Sequence, residues 1–406
     1  MADRYEVIIV GGGMAGATAA CALAHGGVKV ALLDGHNPER KWPAGSVDIR
    51  VSALTKASQN ILERVGAWPG MMQRGVCAYR DMRVFDARGG GELHFDCADT
   101  DSSELGHIVE NRVTVAALWD ELATLPSAIC LTSVLVSELQ LDAKARQVKL
   151  DDGRLLEAEL VIAADGSESA LRTMMGIEVT GWDYHQSGLV ATVTTEKSHQ
   201  ATAWQRFLDE GPLAFLPLKN GQCSIVWTLK SETAKKYLAL NDEDFLQMLE
   251  KASGGILGKM LAAGPRAAFP LRFQYARRYT DKRFALIGDA AHVMHPLAGQ
   301  GANAGLLDAA AIAELVIKTR QERRPLSSSR FLRSYERWRK GDNLVMMASM
   351  DVINKIYQLT LPPFVGMRSA GMNRVNDTAL LKTYFNQYAM GLREDLPRLA
   401  KGQACW

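Results

Sequence analysis

Apolar residues in this chain come as short unbroken runs that stop on glycine or aspartate, and Ala- or Leu-rich stretches of helical spacing follow them. Tyr5 to Val10 runs into Gly11-Gly12-Gly13-Met14-Ala15-Gly16, then an Ala-rich helix to about Ala24, then a second run, Val28 to Leu33, closed by Asp34. Leu160 to Ala164 stops at Asp165-Gly166, and Phe284 to Ile287 stops at Gly288-Asp289. Gly299, Gly301 and Gly305 then lead into a helix to about Thr319. Continuous apolar runs of this length, bounded by turn residues and alternating with helices, predict strands of a parallel sheet covered on both faces.

The intervening segments follow other rhythms. Residues 36–46 are polar, contain Pro38 and Pro43 and read as a loop; residues 48–54, DIRVSAL, lead into a helix through Leu62. Tyr79 to Phe95 alternates around Gly89-Gly90-Gly91, a β-hairpin pattern, and Asn111 stands as N-cap of a helix from about Val113 to Leu125. Residues 131–166 predict a meander turning at Asp151-Asp152-Gly153. Residues 182–275 carry the densest β signals, with Asn220-Gly221 as a hairpin cue between Phe207–Leu218 and Cys223–Leu229. Trp204, Phe207, Phe215, Trp227 and Phe269 are expected to supply one face of that antiparallel sheet. Beyond Arg324-Pro325 the pattern is helical and is broken at Leu361-Pro362-Pro363; its Met-rich apolar faces are expected to form core or an oligomer contact. The expected division is a discontinuous Rossmann-like α/β unit (1–75, 105–180 and 276–330), an inserted antiparallel β-sheet unit for substrate (76–104 and 181–275) and a C-terminal helical region (331–406).

Composition narrows the class. With 406 residues, 47% apolar and 23% charged, the chain is expected to bury a large core in two domains. A formal charge of +2 without a basic, aromatic-laced cluster argues against nucleic acid. Six scattered cysteines are expected to be reduced, and no run reaches a membrane span, so a cytoplasmic protein is expected.

The strand, glycine turn, helix, strand and terminal Asp34 form a dinucleotide-binding pattern. Gly11, Gly13 and Gly16 serve the tight turn, close approach of a pyrophosphate and helix–strand packing, with Met14 and Ala15 between them. The first 34 residues do not choose between FAD and NAD. Arg50 can neutralise a diphosphate, and Asp165 can hold its loop over one. No Gly-x-Ser-x-Gly elbow and no metal-ligand cluster is found.

GGGMAG with Asp34, Asp165-Gly166 and GDAAHVMHPLAGQGAN (288–303), in that order, resemble the flavoprotein aromatic hydroxylases of the p-hydroxybenzoate hydroxylase fold. DIRVSAL (48–54), LGHIVENRV (105–113), GPLAFLPL (211–218), CSIVW (223–227), HPLAGQGAN (295–303) and residues 388–392 are similar to the ubiquinone-biosynthesis hydroxylases, the 2-octaprenylphenol group in particular. The resemblance implies FAD held at its diphosphate by Gly11, Gly13 and Gly16 and at its ribose by Asp34, with Arg50 and Asn111 also in contact. It implies Asp289 on the ribityl chain, Gly299, Gly301, Ala302 and Asn303 near the flavin pyrimidine, and Pro296 beside the substrate ring. His295 is a ring-positioning candidate, and structural hydrogen bonding is expected of both His292 and His295.

The implied reaction is hydroxylation of a polyprenylphenol, at C5, by a flavin C4a-hydroperoxide made from O2, with NAD(P)H or a reductase as electron source. Access to a membrane-borne substrate, at the inner membrane face, is expected through partner proteins of the same pathway or a weak C-terminal face. The alternatives are another ring position, a small soluble phenol, or an FAD-binding scaffold without activity.

Overall fold

The structure, a computed structural model, describes residues 3–43, 45–99, 102–142, 145–295, 299–378, 382–383, 390–391 and 395–406. The first of its two large sheets is parallel at its centre. In spatial order its strands are Thr280–Asp281, Phe284–Leu286, Leu155–Ala163, Asp3–Val10, Val30–Asp34 and Ala128–Thr132. Only the first of these runs antiparallel to its neighbour. The strands Val136–Leu141 and Arg146–Leu150 add the expected antiparallel meander to one side. Val7, Ile8 and Ile9 are fully buried, as are Leu160, Val161 and Ile162 beside them, which explains the unbroken apolar runs.

The helix Met14–His25 and the helix Gln300–Gln321 pack on this sheet and on each other. Gly288, Gly305 and Ala15 meet where they cross: a Cβ built on Gly305 lies 3.4 Å from both the Ala15 Cβ and the Gly288 Cα. Small residues are needed there because two backbones and a helix converge on one point.

The second sheet is antiparallel except where Thr202–Phe207 runs parallel to Asp81–Asp86. Its longest strands, Val179–Thr195 and Met260–Ala276, pair over most of their length, and Tyr275 pairs with His292 where this sheet reaches the glycine-rich turn. Asp81–Asp86 and Glu92–Asp96 form the expected hairpin, and Asn220-Gly221 connects Pro212–Pro217 to Cys223–Lys230.

Three local expectations are corrected. Residues 207–218 are not one strand: Phe207 ends one, and the chain turns at Gly211, φ +149°, before the next begins at Pro212. Helices Ser231–Leu238 and Asp242–Ser253 interrupt the β-rich segment, the second capped by Asn241. The aromatics divide as well. Trp204, Phe215 and Trp227 pack in one cluster, Phe207 stacks on Tyr357 on the other face, and Phe269 is exposed beneath Arg50.

The C-terminal region is a long helix, Ser329–Gln358, broken at Leu361-Pro362 and followed by Pro362–Asp377. Its buried stripe (Phe331, Tyr335, Arg339, Asn343, Met347, Asp351) advances in steps of four residues. Tyr335 donates to the Leu286 carbonyl at 2.9 Å, locking the helix to the end of a central strand.

Candidate functional site

Four of the loops that the sequence marked leave the same end of the parallel sheet. Val10, Asp34, Ala163 and Leu286 are the last residues of four strands that run in one direction, so Gly11–Gly16, Asp34, Asp165-Gly166 and Gly288-Asp289 gather at their carboxyl ends. The Asp3–Val10 strand lies between Val30–Asp34, to which its own connection leads, and Leu155–Ala163, which the chain reaches only later, the switch in strand order at which a ligand crevice opens.

The three motif glycines have different neighbours. A Cβ on Gly11, whose φ is +103°, would collide with the Ala164 carbonyl, and one on Gly16 with the carbonyl of Gly11. Around Gly13 there is nothing within 4 Å. Gly13 is the N-cap of its helix, with no side-chain cap and no acidic residue in the first turn, so the amides at the Met14 end meet no protein acceptor from a cap. The Gly12 peptide is pinned on both sides: its N–H donates to Asp34 at 2.5 Å, and its carbonyl accepts from Trp119 Nε1 at 2.8 Å. Asp34 also accepts from the His36 amide at 2.7 Å.

Asp165 spends its carboxylate on its own loop, accepting from Ser169 Oγ at 2.5 Å and the Leu171 amide at 3.0 Å. Arg172, buried close by, donates to the carbonyls of Ser167 and Ala290 at 2.8 and 2.9 Å and so ties this loop to the Gly288–Ala290 turn. Asp289 retains exposed surface although protein surrounds it, the situation of a carboxylate facing a crevice. That confinement raises its pKa, opposed by His292 and Arg50.

The 299 loop is anchored by Asn303. Its Oδ1 accepts from the Thr55 amide at 3.0 Å and Ser58 Oγ at 2.6 Å, and its Nδ2 donates to the carbonyls of Ala53 and Gly299 at 2.8 and 3.1 Å. All four hydrogen-bonding positions are taken, so Asn303 shapes the loop through DIRVSAL and has no side-chain valence left for a ligand. Gly299 is left-handed at φ +63° and begins a helix without a side-chain cap; Gly301 and Ala302 follow half-buried in its first turn. Asn111 does not cap its helix. Glu110 occupies that position, and Asn111 Oδ1 accepts from Ser52 Oγ at 2.7 Å.

His292 has the structural bond expected of it: Nε2 lies 2.5 Å from Asp308 Oδ2, which also accepts from the Gly288 amide at 3.1 Å. Asp308 Oδ1 accepts from Arg339 Nε at 2.8 Å and Asn343 Nδ2 at 3.1 Å. Burial by itself pushes Asp308 up, but His292 and Arg339 outweigh it and hold the carboxyl at about 2. His295 overturns its expectation. It is 1% exposed, neither ring nitrogen has a partner among the described residues, and its ring meets Tyr184 edge-on at 5.2 Å between centroids. Burial lowers its pKa to about 4, against the pull of Asp351. Pro296 and most of 388–392 lie outside the described residues.

Arg339, Asn343, Arg172, Tyr184 and Trp119 were not assigned site roles from the sequence. Arg339 and Asn343, four apart on one helix face, carry only the weak signal of polar residues on a stripe that begins with Phe331 and Tyr335. The fold also brings Asp81, His94 and Asp96 within 4.8 Å on the hairpin, a grouping that spacing alone did not reveal; His94 already bonds Asp81 at 2.8 Å.

Uncapped amides over an open glycine, an acid at the end of the second strand and a confined carboxylate beside a second glycine turn together suit an extended dinucleotide with a phosphate and a polyhydroxyl chain. The profile of the "FAD binding domain" family matches residues 4–343. "Ubiquinone hydroxylase UbiL" of Rhodospirillum rubrum is 38% identical, covering 99% of this chain and 94% of that one. "3-demethoxyubiquinol 3-hydroxylase" of Escherichia coli is 33% identical over 95% of this chain and 98% of its own. Among solved structures, p-nitrophenol 4-monooxygenase PnpA from Pseudomonas putida superposes with a TM-score of 0.80 at 18% identity, over 96% of this chain and 99% of that one. The protein is thus an FAD-dependent monooxygenase with the fold of the flavoprotein aromatic hydroxylases. It belongs to the FAD-binding-domain family and, within it, to the ubiquinone-biosynthesis hydroxylases.

Two outcomes are expected. Arg339→Met leaves Asp308 buried without its cation and should cost about 3–5 kcal/mol in urea unfolding. Because the folded Asp308 pKa lies below its unfolded value, its contribution is complete above about pH 4–5 and is lost as pH falls through about 2, so the gap between the proteins should narrow with acid. Gly13→Ala should fold like the wild type and retain less flavin, whereas Gly16→Ala should fail to give soluble protein; flavin absorbance per chain separates the two.

Proposed function

We propose that this chain hydroxylates the ring of a polyprenylphenol intermediate of ubiquinone biosynthesis, at C5, with O2 as co-substrate and NAD(P)H or a reductase as electron source. The reading is supported by the apolar cluster beside the glycine-rich turn. Phe273, Met294, Ala304 and Met347 are buried there, with Tyr184, Tyr275 and Met346 packed against them, surroundings suited to an apolar aromatic ring.

The observation that carries the proposal is His295, buried beside this cluster with both nitrogens unpartnered among the described residues. An unsatisfied buried polar group costs about 1–3 kcal/mol. A phenol hydroxyl against the imidazole removes that cost and fixes which ring edge faces the flavin. With its pKa near 4, His295 is neutral at pH 7 and can accept the phenol hydrogen bond, drawing electron density onto the ring. Tyr184 donates its own hydroxyl to Asp351 at 2.9 Å, which holds its ring against His295.

FAD, once reduced, supplies the electrophilic oxygen when O2 reacts with it; the chain's part is positioning. Gly11, Gly13, Met14, Ala15 and Gly16 offer backbone to the diphosphate, Asp34 the adenosine ribose, and Asp289 the ribityl chain. Arg50, 5.5 Å above the Phe269 ring and near enough to Asp289 to oppose the rise in its pKa, would offset negative charge there. Asp165, Asn111 and Asn303 act by holding their loops.

A small aromatic acid would call for a buried arginine aimed at its carboxylate. Arg172 and Arg339, both buried, are occupied by protein carbonyls and by Asp308, and the third buried arginine among the described residues, Arg146, lies on the meander strand Arg146–Leu150 and donates to the Lys282 carbonyl, so none of the three supports this reading. The name of the Escherichia coli relative favours one second reading, hydroxylation of a demethoxyquinol at another ring carbon.

Incubation of the FAD-loaded protein in air with NADPH, or with a chemical reductant of the flavin, and 2-polyprenylphenol, a demethoxyquinol or 4-hydroxybenzoate, followed by mass spectrometry, tests the proposal. C5 hydroxylation of the prenylphenol is expected; product from 4-hydroxybenzoate alone, or from the demethoxyquinol alone, would overturn it. His295→Phe should lower kcat/KM about 100-fold with full flavin content, and His295→Gln should recover part of the loss.

A further inference from the structure

Beyond Arg339 the long helix turns polar residues inward, which corrects the expectation of an apolar core face along it. Met347 is buried, but so are Asn343, Asp351 and Asn354, while Val352 and Ile356 are exposed. Asn343 belongs to the Asp308 group, and Asn354 meets Gln186. Asp351 has a different setting: its field reaches His295.

The Asp351 carboxylate is divided between inside and outside. Oδ1 accepts from the Tyr184 hydroxyl at 2.9 Å, and the Tyr184 ring meets the His295 imidazole edge-on. Oδ2 lies 2.7 Å from Lys355 Nζ. The Lys355 side chain, more than half exposed, also sits 4.9 Å above the ring of Trp182, which stacks on Phe273 at 4.1 Å. Two contacts thus hold the base over the outer oxygen. Burial and the bond to Asp351 push the Tyr184 phenol up, so it stays protonated and passes no proton itself. Its part is to fix the carboxylate relative to the imidazole.

We infer that Asp351 and Lys355 are positioning residues of opposite sign for one proton transfer: Asp351 favours, and Lys355 restrains, movement of the phenol proton to His295. The inference rests on the function proposed above, in which a phenol hydroxyl meets that imidazole. In the step the phenol O–H bond breaks, its electron pair stays on the oxygen, and an N–H bond forms at an unpartnered nitrogen of His295. Net charge is unchanged, and the phenolate left behind is more electron-rich at its ring carbons. The imidazolium is the costly partner, since burial lowers the His295 pKa to about 4. A nearby carboxylate offsets that cost, and a cation on its outer oxygen takes part of the offset away. The Tyr184 ring fills the flank of the imidazole toward Asp351, so the phenol meets it from another side, farther from the carboxylate.

The other charges on the surrounding elements have their own partners. His292 and Arg339 bind Asp308, Asp342 binds Arg339, and Asp289 feels His292 and Arg50. On the strand of Tyr184, exposed Asp183 and His185 lie 3.9 Å apart, and Tyr275 adds a second phenol to the cluster.

The test is a titration of 2-prenyl-4-nitrophenol bound to the FAD-loaded protein without reductant, so that nothing is hydroxylated and nitrophenolate absorbance reads the proton directly. Relative to wild type, Asp351→Asn should lower the bound phenolate-to-phenol ratio about tenfold. Lys355→Met should raise it about threefold, the smaller effect of a partly exposed cation, and Lys355→Arg should leave it near the wild-type value. A merely structural role would move Asp351→Asn and Lys355→Met in the same direction. That result, or no change in either, would overturn the inference while a lowered ratio in His295→Phe leaves the proposed function standing. A probe that does not bind, or a ratio unaltered in His295→Phe, would remove His295 as the phenol's partner and sink both.

Discussion

Asp308 is the point on which the catalytic half of the molecule depends. One fully buried carboxylate accepts from the Gly288 amide, pairs with His292 and receives the Arg339 guanidinium. The Gly288 contact fixes the turn that presents Asp289, and the His292 contact fixes the short segment that pairs with the second sheet. The Arg339 contact fixes the long helix whose far half contributes Met347 to the cluster at Tyr184 and Asp351 to the Tyr184 hydroxyl. A buried charge is tolerable only when its partners and hydrogen bonds are complete. Here completeness requires two glycine-rich loops and a helix from the C-terminal region to be in place together, which makes the group a register pin as well as an ion pair.

The rest of the site is shaped by the same economy of saturated polar groups. Asp165 serves its own loop, Asn303 fills all four of its valences inside the protein, and Arg172 joins two turns through their carbonyls. These side chains hold the backbone of the turns at the sheet's edge and of the 299 loop in place. Against this background His295 stands out physically: it is as buried as its neighbour His292, yet among the described residues only His292 has a partner.

Beyond Arg339 the Ser329–Gln358 helix buries Asn343, Asp351 and Asn354 alongside Met347 and leaves Val352 and Ile356 exposed. An amphipathic helix packed on an apolar core does the reverse. The inward polar groups are tolerated because each finds a partner: Arg339 and Asp308 for Asn343, Tyr184 and Lys355 for Asp351, and Gln186 for Asn354.

The sequence by itself determined the parallel sheet, the glycine turns at its edge, the hairpins and the break at Leu361-Pro362, because period, turn chemistry and apolar runs are local properties. It also set Asp34 and Asp289 at the ends of strands that the pattern reveals, and the glycines at 299, 301 and 305 marked the start of the helix Gln300–Gln321. Only the tertiary structure decided that Asn303 is internally saturated, that Glu110 rather than Asn111 occupies the helix cap, and that the C-terminal apolar residues face outward. It alone decided that Asp308 is answered by Arg339 and that His295 is left unanswered. Those outcomes depend on which side chain from a distant segment arrives within about 3 Å, the reach of a hydrogen bond, and no period along the chain records that meeting.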